Sequence, residues 1–176
     1  MGQLTQPSAV LPILAAFSRR DAALDWAQKT ASASWGETAL SSDRFTFTET
    51  DYYTASMGGD LRKCFFAFER LVDPGELPAI KRLTNRWEND YAESANHPES
   101  RPLNLDPGYI TPAKLVLATT KDHAHRLYLG EGIFAEVTLS FRGGNWQSHP
   151  WTYPDYQRED FQQFFTQCRD FLRQVE

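Results

Sequence analysis

The sequence predicts an α+β fold, a single domain around a mostly antiparallel mixed sheet, and three observations support this. The chain has 176 residues, of which 41% are hydrophobic and 14% aromatic, enough for one compact core. The first half carries strand and helix patterns in the order β-α-β-β-α, most of a ferredoxin-like unit. The second half is rich in β-hairpins and ends in a helix. No linker divides residues 1–176.

The first elements are a buried strand, a helix and a half-exposed strand. Val10 to Phe17 shows no alternation, which is typical of a strand covered on both faces. Ser18 or Asp21 is placed to cap the following helix, which Gly36 ends. Arg44 to Thr50 alternates apolar and polar residues, which predicts a strand with one wet face.

A second strand and helix complete this half. Leu61 to Val72 is apolar at its centre on both faces and predicts another strand. Asp73 to Glu76 has the composition of a capping box, with Pro74 at the first helical position. The helix that follows carries one buried face, formed by Leu77, Ile80, Thr84, Trp87 and Tyr91.

The second half predicts short strands and tight turns. The strands are Pro102 to Ile110, Ala113 to Thr120, Arg126 to Leu129 and Ile133 to Arg142. Asp106 to Tyr109 and Arg142 to Asn145 have the composition of tight turns. In Ile133 to Arg142 the odd-numbered residues are expected to face inward and the even-numbered residues outward. The C-terminal helix carries one apolar stripe: Phe161, Phe164, Phe165, Cys168, Phe171, Leu172 and Val175.

Composition excludes several classes of partner. A net charge of −5 argues against a nucleic-acid binder, which needs a basic face. The longest apolar run, Val10 to Phe17, is too short to span a membrane. Cys64 and Cys168 lie in apolar surroundings and are expected to be buried thiols rather than a disulfide. These observations predict a cytoplasmic protein, with its oligomeric state left open.

No motif predicts a cofactor or a metal. The chain has no phosphate-binding loop and no dinucleotide fingerprint, so Thr120-Lys121-Asp122 by itself does not indicate a GTP site. His123 and His125 would point to the same side of a strand, but a metal site needs three or more ligands. An exposed turn is the better interpretation of these histidines.

Polar residues on predicted strands indicate a site in the second half. Asp106 or Glu136 is a candidate general base, with His125 as proton carrier. The candidate ligand-binding residues combine cations, a hydroxyl and aromatic rings: Lys114, Thr120, Lys121, Arg126, Trp151 and Tyr153. Each carboxylate also has a structural interpretation: a turn for Asp106, a solvated strand face for Glu136, and a helix cap for the nearby Asp155.

The same region resembles a known family. Asn104 to Tyr109, Lys114 to Asp122, His125 to Gly130, Ile133 to Val137 and Pro150 to Tyr156 are similar to an uncharacterised prokaryotic family, domain of unknown function 4416. Asp51-Tyr52-Tyr53 and Phe68 to Leu71 extend the resemblance into the first half. The resemblance implies no activity, but its motifs coincide with the polar region.

Two hypotheses follow. The first is a cytoplasmic protein with a pocket for a small anionic ligand, in which catalysis by Asp106, Glu136 and His125 is an open question. The alternative is a structural or protein-interaction module without a small-molecule site, whose motif residues form turns, caps and core. The first predicts that the polar residues converge on one cavity. The second predicts an exposed apolar patch or a free sheet edge.

Overall fold

A computed structural model describes residues 2–94 and 96–175 and confirms the α+β fold, with four helices and one nine-stranded antiparallel sheet. The helices are α1 (Asp21–Trp35), α2 (Thr54–Met57), α3 (Leu77–Glu93) and α4 (Glu159–Val175). The strands are β1 (Leu11–Ser18), β2 (Thr38–Ser41), β3 (Phe45–Thr46), β4 (Arg62–Phe68), β5 (Asn104–Ile110), β6 (Lys114–Thr119), β7 (Leu127–Gly130), β8 (Ile133–Arg142) and β9 (Asn145–Ser148).

The sheet has the strand order β2-β4-β1-β5-β6-β8-β7, with β3 added to β4 and β9 to β8. Strand β1 is central, and all of its eight residues are buried. Its alternate residues enter two separate cores, because successive side chains point to opposite faces. Leu14 and Ala16 pack with α1 and α3, whereas Leu11, Ile13 and Ala15 pack with α4. Helices α1 and α3 therefore cover one face of the sheet and α4 the other.

The predicted strand from Arg44 to Thr50 is wrong in most of its length. Only Phe45–Thr46 pairs with β4, after which Phe47 turns into a small core with Phe17 and Met57. The edge strand β2 and the short helix α2 were not predicted. Strand β2 lies at the edge of the sheet and none of its residues is fully buried. Its sequence therefore had no need of the apolar alternation by which a strand is predicted.

The start of α1 differs from both predicted caps. Arg20 is the N-cap residue, without a side-chain cap, and Asp21 is already helical. The hydroxyl of Ser18 instead donates to the carbonyl of Pro102 at 2.6 Å and accepts from the amide of Arg20. The contact with Pro102 is far along the chain, and a local pattern cannot show it. Gly36 does end the helix, with a φ of 96°.

The segment Asp106 to Tyr109 is not a turn, because it lies inside β5. Strand β5 pairs with β1 along its whole length, whereas its pairing with β6 begins only at Gly108. Pro107 therefore lies beyond the residues that pair with β6. The amide hydrogen that proline lacks is not needed there for a hydrogen bond between the two strands. Gly108 is required by close approach: a Cβ there would lie 2.2 Å from the carbonyl oxygen of Val116. The predicted turn at Gly143 and Gly144 does join β8 to β9, and both have positive φ.

Strand β8 has the predicted bounds, but its alternation reverses once. Leu115 of β6 pairs with Leu139, and the next residue, Val116, pairs with Val137, so Thr138 forms a bulge. Ile133 and its alternate neighbours pack on the α3 side, whereas Leu139 packs on the α4 side. The expected single inward face of β8 is therefore wrong beyond residue 137.

The capping box at Asp73 is confirmed. The Asp73 carboxylate accepts from the amide of Gly75 at 2.7 Å, and the Glu76 side chain accepts from the amide of Asp73 at 3.3 Å. Pro74–Glu76 form one 3₁₀ turn that leads directly into α3. These bonds fix the direction in which α3 leaves the sheet.

Candidate functional site

The sheet opens between β5 and β6 at one end. Their pairing covers only Gly108–Ile110, and residues 104–107 have β1 as a partner on one side alone. On the other side, α3 satisfies the peptide groups of Leu105. Glu88 accepts from its amide at 2.6 Å, and Lys81 donates to its carbonyl at 2.8 Å. Two side chains of α3 thus substitute for a neighbouring strand and hold the sheet open.

A cavity of about 740 Å³ lies at this opening. Three sheet residues that line it share the face of α4. Lys63 is paired with Phe17, Asp106 with Ala15 and Glu136 with Leu117, and residues paired across strands point to the same side. Helix α4 covers the apolar part of this face and leaves the polar part open.

A buried ion pair forms the floor of the cavity. Lys63 Nζ donates to Asp155 Oδ2 at 2.6 Å, and both side chains are about 5% exposed or less. Five aromatic rings surround the ammonium group within 6 Å: Phe17, Phe47, Phe65, Tyr156 and Phe161. The ammonium group of Lys63 is therefore in contact with one carboxylate and with the faces of several aromatic rings, both of which attract a cation. Asp155 therefore does not cap α4, as the sequence had allowed.

A second buried pair forms one wall. Arg126 Nε donates to Glu136 Oε2 at 2.8 Å, and its other nitrogens donate to the Tyr153 hydroxyl at 2.7 Å and the Lys121 carbonyl at 2.9 Å. His125 Nε2 lies 3.1 Å from the same Glu136 oxygen. The hydrogen bonds to Glu136 and Tyr153 favour the charged guanidinium, and against the effect of burial they raise the pKa of Arg126.

Asp106 and Glu88 lie on opposite sides of the opening and have oppositely shifted pKa values. Burial alone would raise the pKa of Asp106, but Lys81, Lys63 and a hydrogen bond from Asn104 lower it below its usual value. For Glu88 burial dominates and raises its pKa, despite Lys81 and Arg101. Asp106 is therefore ionised at neutral pH.

The rim of the cavity is more exposed and carries aromatic hydroxyls. Lys121 Nζ lies 4.7 Å from the ring centre of Tyr52 and 3.4 Å from its hydroxyl. Residues Tyr52 and Tyr153 are 68% and 46% exposed, so both rings are accessible to a ligand. Thr120 also lines this rim.

Most of the predicted site residues meet here, and three do not. The residues that line the cavity are Asp106, Thr120, Lys121, Arg126, Glu136 and Tyr153. His125 lies behind Glu136, where its ring stacks on Trp151 at 5.3 Å. Trp151 itself stacks between His125 and His149, outside the lining. Lys114 is exposed at the opposite end of β6, beside Ser140 of β8.

The predicted site lacked five polar residues of the cavity, namely Lys63, Lys81 and Glu88 of the first half and Asn104 and Tyr156 of the second, as well as the rings of Phe17 and Phe47. For two of these residues, the sequence did contain an indication of a buried charge. Lys63 is a cation next to the apolar run that begins at Cys64, and Lys81 lies on the buried face of α3 with Leu77 and Thr84. Buried charges of this kind need a partner, which indicates a polar site.

The described part of the chain contains neither a cluster of metal ligands nor a membrane-spanning helix. Within residues 2–94 and 96–175, no group of three or more His, Cys, Asp or Glu side chains is arranged to hold a metal ion. In the same part of the chain, no helix has the length and apolar character needed to cross a membrane.

The fold and the cavity define an α+β protein with an open, charge-lined site on one face of an antiparallel sheet. The chain belongs to the family described as Domain of unknown function (DUF4416), whose model matches residues 7–171. Comparison with curated proteins found no match, and comparison with solved structures found none either. The family description assigns no function, so the geometry of the cavity carries the functional argument.

Proposed function

We propose that the cavity binds a small ligand through an anionic group. The charges of its lining carry this proposal. Each of the five lining carboxylates lies within 4 Å of a cation, in the pairs Lys63–Asp155, Lys81–Asp106, Arg101–Glu88, Arg126–Glu136 and Arg158–Glu49. Among the described residues, Lys121 is the lining cation with no carboxylate partner. Its positive charge at the rim favours an anionic group of a ligand.

The remaining lining suits a ligand with a compact body. The other charges cancel in pairs, so the interior does not favour a second net charge. Phe17, Phe47 and Tyr53 form an aromatic wall, with ring centres 4.8 to 6.1 Å apart. Concave sites that combine aromatic walls with a few polar groups are typical of small-molecule binding.

Removing the charge of Lys121 should weaken the effect of an anion. Inorganic phosphate is the probe, because an ion that binds only the folded protein raises its melting temperature by mass action. At millimolar phosphate and fixed ionic strength, Lys121→Met should lose at least half of the increase that the unchanged protein shows. Differential scanning fluorimetry measures this directly.

Lys114→Met is the matched control. It removes the same charge from the opposite end of β6, outside the cavity, and is expected to keep the full phosphate effect. Both substitutions are at exposed positions and should change the free energy of unfolding by less than ~0.5 kcal/mol. Equal phosphate effects in all three proteins would contradict the proposal.

Enzymatic use of the same cavity would depend mainly on Glu136. The lowered pKa of Asp106 makes it a weak base, whereas Glu136 connects the cavity to His125 through one oxygen. A proton taken up by Glu136 would reach His125 next. Of the three predicted catalytic residues, Glu136 and His125 are therefore the pair whose contact suits proton transfer, whereas Asp106 stays an anion.

A second candidate function is protein interaction at β7. This strand is at the edge of the sheet, and its Leu127, Tyr128 and Leu129 are 74%, 63% and 43% exposed. Exposed apolar edge strands pair readily with other strands. We expect Leu127→Lys to abolish any self-association seen by sedimentation velocity while it leaves the phosphate effect intact. Self-association that persists in this variant would count against the edge.

The scaffold and the compartment are proposed as well. The order β2-β4-β1-β5, with α1 and α3 on one face, supports a ferredoxin-like unit as the framework of the cavity.

The free, buried state of Cys64 and Cys168 supports a reducing compartment, for which we propose the cytoplasm.

A further inference from the structure

The floor of the cavity contains hydrogen-bond donors without acceptors. Tyr156 is 2% exposed, and among the described residues its hydroxyl has no hydrogen-bond partner. Lys63 has three N–H donors, and among the described residues Asp155 is its one hydrogen-bond acceptor, while aromatic rings surround the ammonium group. A buried polar group without a partner is costly, so a native structure that keeps one needs an explanation.

The hydroxyl of Tyr156 is available as a donor. Burial raises its pKa well above the usual value, and the nearby carboxylates of Asp155, Asp106 and Glu136 raise it further. The group therefore stays protonated at neutral pH. Those three carboxylates also make the surroundings of the hydroxyl unfavourable for a second anion.

The acceptor that fits this floor is an uncharged oxygen. The ion pairs around it already cancel, and an additional buried charge would remain uncompensated. A carbonyl oxygen has two lone pairs and no charge, so it can accept from both Tyr156 and Lys63. The rings of Phe17 and Phe47 beside Lys63 suit the carbon atoms next to such a carbonyl.

We propose that the cavity selects oxo acids, whose carbonyl oxygen accepts hydrogen bonds from Tyr156 and Lys63 at the floor and whose acid group binds at Lys121. The binding of the acid group at Lys121 rests on the proposed function. The binding of the carbonyl group is inferred only from Tyr156 and Lys63 at the floor of the cavity. The ligand is thus defined by two polar ends that a compact carbon chain separates.

The test compares acids that differ only in the carbonyl group. The affinity for levulinate is compared with the affinity for valerate. The affinity for the homologue of levulinate that is two carbons longer is compared with that for heptanoate, so that two chain lengths are covered. For at least one pair, the oxo acid should bind about three- to tenfold more tightly by calorimetry, the value of one net hydrogen bond. Tyr156→Phe should abolish this preference and leave the alkanoate affinity unchanged.

Tyr91→Phe is the matched control, because Tyr91 packs in the core with α1, away from the cavity. It should keep the preference for the oxo acid. An equal affinity for oxo acid and alkanoate in every pair would overturn the inference while leaving the phosphate effect of Lys121 in place. A preference that survives in Tyr156→Phe would overturn it too, since the carbonyl would then bind elsewhere.

Discussion

Replacing Asp155 with alanine is expected to lower the free energy of unfolding by about 3 to 5 kcal/mol, the cost of leaving a buried charge without its partner. The carboxylate is the one acceptor that Lys63 Nζ reaches among the described residues, and both side chains are almost completely excluded from water. The surrounding aromatic rings offset only part of this loss, because a cation–π contact is weaker than a buried carboxylate. Chemical denaturation followed by circular dichroism measures the change.

Two comparisons separate the ion pair from other effects of the substitution. Arg82→Ala breaks a pair with Glu131 in which both side chains are 57% exposed, and should cost no more than about 1 kcal/mol. The double variant Lys63→Met/Asp155→Ala should recover most of the loss, since no uncompensated charge remains. A double variant as unstable as Asp155→Ala alone would show that packing, rather than charge, holds the floor together.

Replacing Gly108 with alanine should be the second most damaging change, at about 3 kcal/mol, the upper end of the usual cost of overpacking. Its Cβ would lie 2.2 Å from the carbonyl oxygen of Val116 and 2.8 Å from Leu117 Cδ2. The carbonyl oxygen of Val116 belongs to the backbone of β6, so it cannot relieve the clash by a change of side-chain rotamer. The expected result is a separation of β5 from β6, visible as faster amide hydrogen exchange along both strands.

Gly59 provides the matched control for this change. A Cβ there meets no atom within 4 Å, and its backbone does not need a positive φ. Gly59→Ala should therefore leave stability within about 0.5 kcal/mol, as at other surface positions. Similar losses in the two variants would show that the approach of β5 to β6 does not depend on glycine.

The sequence predicted elements whose signal is local. The two-sided burial of β1, the bounds of β8 and the capping box at Asp73 all follow from residues within a few positions of each other. The bulge at Thr138 and the position of Gly108 inside β5 do not, because both depend on the register of a neighbouring strand. Composition alone made Asp106 to Tyr109 look like a turn.

The residues of the candidate site likewise fall into those that a local pattern predicts and those that depend on distant elements. Polar density along the second half indicated Asp106, Arg126 and Glu136, which the sheet brings to one cavity. Lys63 and Lys81 come from distant elements, and their place beside these residues depends on strand order and on the opening between β5 and β6. No pattern within one segment contains that information.

The central place of β1 has a consequence for the newly made chain. Every residue of this strand is apolar or buried in the finished sheet, yet its two partners, β4 and β5, are encoded far downstream. At ~5–20 residues per second, synthesis reaches the end of β5 roughly 5 to 20 s after it has passed β1. Through that interval one edge of the strand has no partner. A ribosome-bound chaperone that shields residues 11–18 would protect the chain from aggregation in these seconds.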